Sequence, residues 1–218
     1  EFQPFVAGFA VGTRSPPGAN GPVSIASGTV AAGTAAPLRA EVSSVVAALG
    51  LHTQVVAGTM GAGTVADSNG RPVHTNAHAS SDGLVLATDR RTGAPLWSWG
   101  VAGSAADAAD AITAAASSPD GSVVCVAGSV HDNDSGSLGQ LFGQAAPSTT
   151  DSAGSADALV ACFDDTPATT ASAGAPRWVS VVGSASQQSA TAVAVSDATV
   201  WVALSTNGPV AFGESSIP

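Results

Sequence analysis

Two short phrases recur along this sequence, and they constrain its fold more than any other feature. One is an apolar run that ends in Val-Ala-Gly, and the other is a turn that leads into Pro-x-Trp. A second apolar run separates them. These segments stand at 55–58, 84–89 and 93–97 in one copy and at 124–128, 159–164 and 174–178 in the next. Self-similarity on this scale is typical of a repeat architecture.

A fourth strand precedes each Val-Ala-Gly strand, since small-residue apolar runs stand at 42–49, 111–116 and 190–195. Four successive strands without helices favour the blade of a β-propeller over the coil of a solenoid. We therefore predict an all-β fold of four-stranded antiparallel blades, about three to four of them in this chain. The approximate repeats within one domain, 1–218, are 1–40 (partial), 41–110, 111–188 and 189–218 (partial).

The alanine-rich stretch 105–116 allows a different prediction. Alanine has the highest helix propensity, so this stretch alone is compatible with a helix. It occupies the position of the small-residue strand in the repeat, however, and it contains Ile112 and Thr113, which are β-branched. Because crowding near a propeller axis also favours small side chains, we expect a strand there.

Several segments resemble the repeat of bacterial-type seven-bladed β-propeller proteins. That repeat contains Asp-Ala-Phe-Val-Ala, Gly-x-x-x-Trp, Asp-x-Ala-x-Ala-Ile and Asp-Gly-x-Val-Tyr-Val-Ala-Gly strands. The corresponding segments here are 82–89, 92–97, 107–112 and 120–128, and the resemblance covers most of 41–205. The segment from Leu86 to Trp97 is also similar to the quinoprotein-type propeller repeat. Both resemblances imply a propeller fold.

The spacing of the copies departs from that family. The copies lie roughly seventy to eighty residues apart, against about forty to fifty for common blade repeats. The extra length falls at 60–81 and 129–156, between the second and third strands of a blade. We expect long surface loops there, on one face of the molecule. Loops of this length are usually functional or modified.

Composition excludes several partners and indicates a compartment. The chain contains no lysine and has a formal net charge of −10, which argues against binding to nucleic acid. No apolar run is long enough for insertion into a membrane. A hydroxyl-rich surface without lysine indicates an extracellular or cell-surface location, although flexible low-complexity loops from a GC-rich genome have the same composition. The start at Glu1 fits either a mature secreted form or a fragment.

The hydroxyl-rich stretches are candidates for glycosylation. Asn133 lies in an Asn-x-Ser sequon. The Ser-Pro-Pro sequence resembles sites of proline hydroxylation and glycosylation in plant and algal wall proteins. The candidate positions for O-linked or hydroxyproline-linked glycans are Ser15, Pro16, Pro17, Ser148, Thr149, Thr150, Thr169 and Thr170.

The two cysteines are candidates for a disulfide. Cys125 falls on the second strand and Cys162 on the third strand of the same predicted blade, and such strands pair in antiparallel fashion. A bond requires Cα atoms within about 7 Å, so a shift in register of two residues decides between a disulfide and two buried thiols.

Catalytic and metal motifs are weak, and we predict no catalytic, cofactor-binding or metal-binding residues. His74 and His78 have the spacing of two metal ligands, but they lack a clear third ligand. The segment 132–136 resembles the opening of a calcium loop without the downstream glutamate. The four tryptophans are expected to be packing residues within blades: Trp97, Trp99, Trp178 and Trp201.

Three classes of function remain open. The first is a secreted structural or adhesive propeller without catalytic activity, a glycoprotein in a filament, sheath or cell-surface assembly. Its expected partners are copies of itself or other extracellular structural proteins, with glycans as a further ligand class. The second is a carbohydrate-binding, lectin-like propeller. The third is a quinoprotein-like or hydrolytic propeller enzyme, which requires convergent charged residues that the sequence does not show. We favour the first.

Overall fold

The computed structural model describes residues 42–66, 72–76, 80–101, 109–131, 140–145, 156–167, 173–183, 186–196 and 199–207, and within these ranges the chain is all-β. The fourteen strands are β1 (Val42–Leu49), β2 (Thr53–Met60), β3 (Gly63–Ala66), β4 (Pro72–Asn76), β5 (Asp82–Asp89), β6 (Pro95–Val101), β7 (Ala111–Ser117), β8 (Val123–His131), β9 (Gln140–Leu141), β10 (Gln144–Ala145), β11 (Ala156–Asp164), β12 (Pro176–Val182), β13 (Gln188–Val195) and β14 (Val200–Thr206).

Two antiparallel sheets contain the predicted order of four strands. The first sheet has the order β1-β2-β5-β6, and the second sheet has the order β7-β8-β11-β12. Each begins with the small-residue strand, continues with the Val-Ala-Gly strand and ends with the Pro-x-Trp strand. The alanine-rich segment 111–117 is strand β7, so the helical alternative is wrong for this part of it.

A β-bulge in β7 explains the glycine that ends the Val-Ala-Gly phrase of β8. In the second sheet Ile112 pairs with Gly128, but Ala114 pairs with Ala127, so one extra residue lies in β7. A Cβ atom at Gly128 would collide with the backbone carbonyl oxygen of Ala111. Glycine is therefore required where the bulged strand approaches closely.

We expect Gly128→Ala to lower the free energy of unfolding by about 1–3 kcal/mol, because the added methyl must displace backbone rather than a flexible side chain. Urea unfolding measures the change. Ser129→Ala, on the same strand, serves as the control because it adds no atom at the bulge. Equal stability of the Gly128→Ala variant and the wild-type protein would contradict the close approach.

The first and second sheets pack face to face. The interface is formed by Val55, Ala57 and Val85 of the first sheet and by residues such as Val126 and Leu159 of the second, all fully or almost fully buried. Strand β7 lies across β1, β2 and β5. The side chains of both sheets alternate, so each sheet keeps a second face directed away from this core.

Strands β13 and β14 form a hairpin, called here the C-terminal hairpin, on the other face of the second sheet. Val193, Val200 and Val202 pack against buried Ala127 and Val160. The hairpin repeats the first two strands of the larger sheets, including a bulge between Ala190 and Ala192. The first sheet, the second sheet and the C-terminal hairpin thus form a stack of three, and a closed ring of sheets is not present in the described part of the chain.

The insertions at 60–81 and 129–156 are not only loops. They contain two hairpins, β3–β4 within the first insertion and β9–β10 within the second. Leu141 and Phe142 of the second hairpin are buried in the core between the first and second sheets. These described segments are therefore paired strands rather than the expected loops, and the second hairpin contributes to the core between the two sheets.

Candidate functional site

A disulfide joins Cys125 of β8 to Cys162 of β11 in the second sheet. The two residues lie directly opposite each other in the strand register, with Cα atoms 4.0 Å apart. Both are fully buried. The register that the sequence left open therefore places the two side chains on the same face, the one directed toward the C-terminal hairpin.

The first sheet carries an apolar pair at the position of this disulfide. Val55 of β2 pairs with Ala87 of β5, and both residues are buried under the second sheet. Counting from the Val-Ala-Gly phrase, Val55 corresponds to Cys125, and Ala87 corresponds to Cys162. The same face is thus stabilised by a covalent bond in one sheet and by apolar packing in the other.

An aromatic cluster that the sequence analysis did not predict connects the first sheet to the second insertion. The Trp97 and Phe163 ring centroids lie 5.0 Å apart, and Phe142 lies 5.4 Å from Phe163 in an edge-on orientation. The indole nitrogen of Trp99 donates a hydrogen bond of 2.6 Å to the carbonyl of Gly174. The cluster joins both sheets and one insertion hairpin. Its only signal in the sequence is the aromatic content of the Pro-x-Trp strands.

A buried carboxylate connects the two sheets at their turn ends. Asp165 accepts hydrogen bonds from the backbone N–H of His52 and from the Thr53 hydroxyl, the latter at 2.7 Å. The N–H of Leu51 also donates to the carbonyl of Gly121, at 2.9 Å. Because Asp165 and these partners lie far apart in sequence, no local motif could have revealed this contact.

The Pro-Asp-Gly sequence at 119–121 forms the turn between β7 and β8. Asp120 accepts hydrogen bonds from the hydroxyl of Ser118 and from the N–H and hydroxyl of Ser122, at 2.6, 3.0 and 2.8 Å. These bonds, the one from the Ser118 hydroxyl first, lower the pKa of Asp120 from 3.8 to about 2. Gly121 has a φ of 74°, which favours glycine.

This lowered pKa predicts a pH dependence of stability. The carboxylate form contributes stability above its unfolded pKa of about 3.9, and this contribution is lost as pH falls toward about 2. The difference in unfolding free energy between wild type and Asp120→Asn should be constant from about pH 5 to 7 and shrink below about pH 4. Thermal or urea unfolding across this range measures it. A difference that stays constant down to about pH 2 would contradict the assignment.

His74 is the one described member of the predicted histidine pair. It lies on β4, half-buried against Gly100 of β6, and burial lowers its pKa below 6.5. His78 lies outside the described residues. Within the described ranges, no group of three His, Cys, Asp or Glu side chains is placed to hold a metal ion.

The glycosylation candidates also lie outside the described residues. These are Asn133, Ser15, Pro16, Pro17, Ser148, Thr149, Thr150, Thr169 and Thr170. The segment 132–136, which resembles the opening of a calcium loop, likewise lies outside the described residues. The structure therefore adds nothing to these predictions.

The outer face of the C-terminal hairpin is exposed and mostly apolar. Trp201 is 66% exposed, so the expectation that all four tryptophans are buried packing residues is wrong for this one. Its neighbours Ala194 and Ala203 are also exposed. Trp201 corresponds to Val55 and Cys125 in the larger sheets, where the same position is covered by the following sheet.

Hydrogen bonding also relates the outer face of the C-terminal hairpin to the covered face of the second sheet. Thr113, the bulged residue of β7, donates from its hydroxyl to the carbonyl of Ala190 in the hairpin, at 2.5 Å. Thr191 occupies the corresponding bulge in β13 and is exposed; its hydroxyl donates to the carbonyl of Ala203 at 3.3 Å, as that of Thr113 also does to Ala127 at 3.4 Å. The outer face of the hairpin thus has the donor and the small side chains that bind the next sheet elsewhere in the stack.

In the described part of the chain, no helix has both the length and the apolar character needed to cross a membrane. No protein-family model and no curated protein sequence matches this chain.

Proposed function

We propose that the stacked sheets are blades of a β-propeller-type repeat and that the protein is an extracellular structural or adhesive module without catalytic activity. Its role would be that of a component in a fibre, sheath or cell-surface assembly. The observation that carries this proposal is the repeated packing relation. The second sheet covers the first in the same way as the C-terminal hairpin covers the second, and the last face of the series is exposed.

The side chains that recur between copies support a scaffold. Val55, Val126 and Leu159 are buried between sheets, and the bulge with its neighbouring glycine recurs in the strand register. Side chains used in this way maintain a rigid body. Function then belongs to the faces and insertions that differ between copies.

The disulfide supports an extracellular location. A fully buried bond between neighbouring strands is typical of proteins that fold in an oxidising compartment. The absence of lysine from the sequence and the hydroxyl-rich stretches with the Asn133 sequon are consistent with a secreted glycoprotein.

Sedimentation velocity and intact mass, measured on protein secreted from a eukaryotic host, test this proposal together. We expect assembly that increases with protein concentration and a mass above the 20.9 kDa of the polypeptide, because of attached glycans. A compact monomer at every concentration, with the mass of the bare polypeptide, would refute both the assembly and the glycosylation.

A carbohydrate-binding function is the second candidate, and one observation favours it. Trp201 presents an exposed indole on the outer face of the C-terminal hairpin, and such a ring can stack on a sugar. A glycan array compares wild type with Trp201→Ala, and Leu49→Ala is a matched control for loss of an exposed apolar side chain. Binding that only Trp201→Ala abolishes would favour a lectin; absence of wild-type binding would remove this candidate.

A further inference from the structure

The exposed large apolar side chains of the described residues lie in and next to β1 and on the C-terminal hairpin. They are Leu49 (51% exposed), Leu51 (57%) and Trp201 (66%). Val46 and Ala48 of β1 pack toward the second sheet, so Ala47 and Leu49 lie on the opposite side of the strand. We call this side of β1, which carries Ala47 and Leu49, the leading face.

The trailing face is the outer face of the C-terminal hairpin. It consists of Thr191, Ala192, Ala194, Trp201 and Ala203, all exposed. Its two apolar positions on β14 correspond to residues that are fully or almost fully buried in the larger sheets. Ala203 takes the position of Ala57 and Ala127, as Trp201 takes that of Val55 and Cys125.

The cover on the corresponding faces is always a small-residue, bulged strand. Strand β7 lies across β1, β2 and β5 of the first sheet, and β13 lies across β7, β8 and β11 of the second. The third strand of this kind is β1, whose register also shifts between Ser43 and Val46. Strand β1, which carries the leading face, is therefore the kind of strand that covers the corresponding faces and that no described residue provides over the trailing face.

Charge is compatible with contact between the two faces. Strands β1, β13 and β14 contain no Asp, Glu, Lys or Arg. In a chain with a net charge of −10, two copies repel each other over most of their surface, so an uncharged pair of faces is the favourable place for close contact.

We propose that the trailing face of one copy binds the leading face of a second copy, head to tail, and this inference rests on the proposed structural function. Strand β1 of the second copy lies across β13 and β14 as β13 lies across β7 and β8. The Thr191 hydroxyl then donates to the carbonyl of Ser44, which takes the position of the Ala190 carbonyl that accepts from Thr113.

The contact is confined to the leading face as defined. Val56, Leu84 and Leu86, on the same side of the first sheet, are already buried within their own chain. Because the two faces are different, a pair of bound copies leaves one leading face and one trailing face exposed. A contact of this kind propagates unless its rotation closes a ring.

Two charge-introducing variants test the inference by sedimentation velocity. Trp201→Arg places a charge on the trailing face, and Leu49→Arg places a charge on the leading face, so each disrupts one of the two faces. We expect each variant alone to weaken self-association by about tenfold or more. An equimolar mixture should form a 1:1 dimer that grows no further, because each variant retains the face that the other lacks.

The controls separate folding from binding. Ala175→Arg, at an exposed position in the turn before β12 of the second sheet, introduces the same charge away from both faces and should assemble as wild type does. Circular dichroism and thermal unfolding check that all the variants fold. Both substituted apolar side chains are more than half exposed, so we expect little change in stability.

Three outcomes would overturn the inference. If Leu49→Arg assembles like wild type while Trp201→Arg does not, the trailing face pairs with itself. If both variants assemble like wild type, a different surface mediates assembly, and the proposed structural function is unaffected. If wild type stays monomeric at every concentration, the inference and the proposed function fail together.

Discussion

Phe163→Ala is expected to lower the free energy of unfolding by about 3–5 kcal/mol. The ring is almost fully buried between the first and second sheets and contacts Trp97 and Phe142. Its removal leaves a cavity bounded by two sheets and the second insertion hairpin. Because these elements come from distant parts of the chain, the cavity cannot close by a small local movement. Urea unfolding followed by tryptophan fluorescence measures the loss.

Phe163→Leu is the matched control for this prediction. Leucine retains most of the apolar volume, so the free energy of unfolding should fall by less, about 1–2 kcal/mol. The remaining loss comes mainly from the missing ring contacts. Phe142→Ala provides a second comparison, since it removes the partner from the insertion hairpin. A Phe163→Ala variant as stable as wild type would show that the aromatic cluster does not hold the sheets together.

Loss of the disulfide should lower the free energy of unfolding by an amount similar to that of Phe163→Ala. The bond closes a loop with a sequence separation of 37 residues, and loop-closure entropy predicts about 3–4 kcal/mol for a loop of this length. The double variant Cys125→Val with Cys162→Ala reproduces the Val55 and Ala87 pair of the first sheet. It should fold, because that pair already fits this position, but with the lower stability of an uncrosslinked chain.

Reduction of wild type is the control for this variant. Urea unfolding with and without a thiol reductant should show a loss for wild type and no change for the double variant. Both proteins should have similar stability once wild type is reduced. If the double variant matched oxidised wild type, the bond would contribute nothing to stability, and apolar packing would suffice in both sheets.

The strands were predictable because their signals are local. The small-residue runs, the Val-Ala-Gly phrase and the Pro-x-Trp phrase each fall on one strand of both larger sheets. The Pro-Asp-Gly sequence before Val123 likewise forms a tight turn. Alternation, turn residues and β-branched side chains act over a few residues, so the order of strands within a sheet could be read from the sequence.

The contacts between sheets could not be read in the same way. Asp165 accepts hydrogen bonds from residues more than a hundred positions away, and Phe142 enters the core from an insertion. The sequence also left two states open for the cysteines. Only the register of β8 against β11 brings Cys125 opposite Cys162. Each of these depends on how distant strands pack, for which a single sequence carries no periodic signal.

By itself, the sequence determined the succession of short antiparallel strands, with a small-residue strand beside each Val-Ala-Gly strand. This follows from backbone preferences and alternation, which are properties of neighbouring residues. The tertiary structure alone decided which faces are covered. Val55 and Trp201 occupy corresponding positions in similar strands, yet one is buried and the other is 66% exposed. The difference arises because burial depends on whether another sheet lies above the strand.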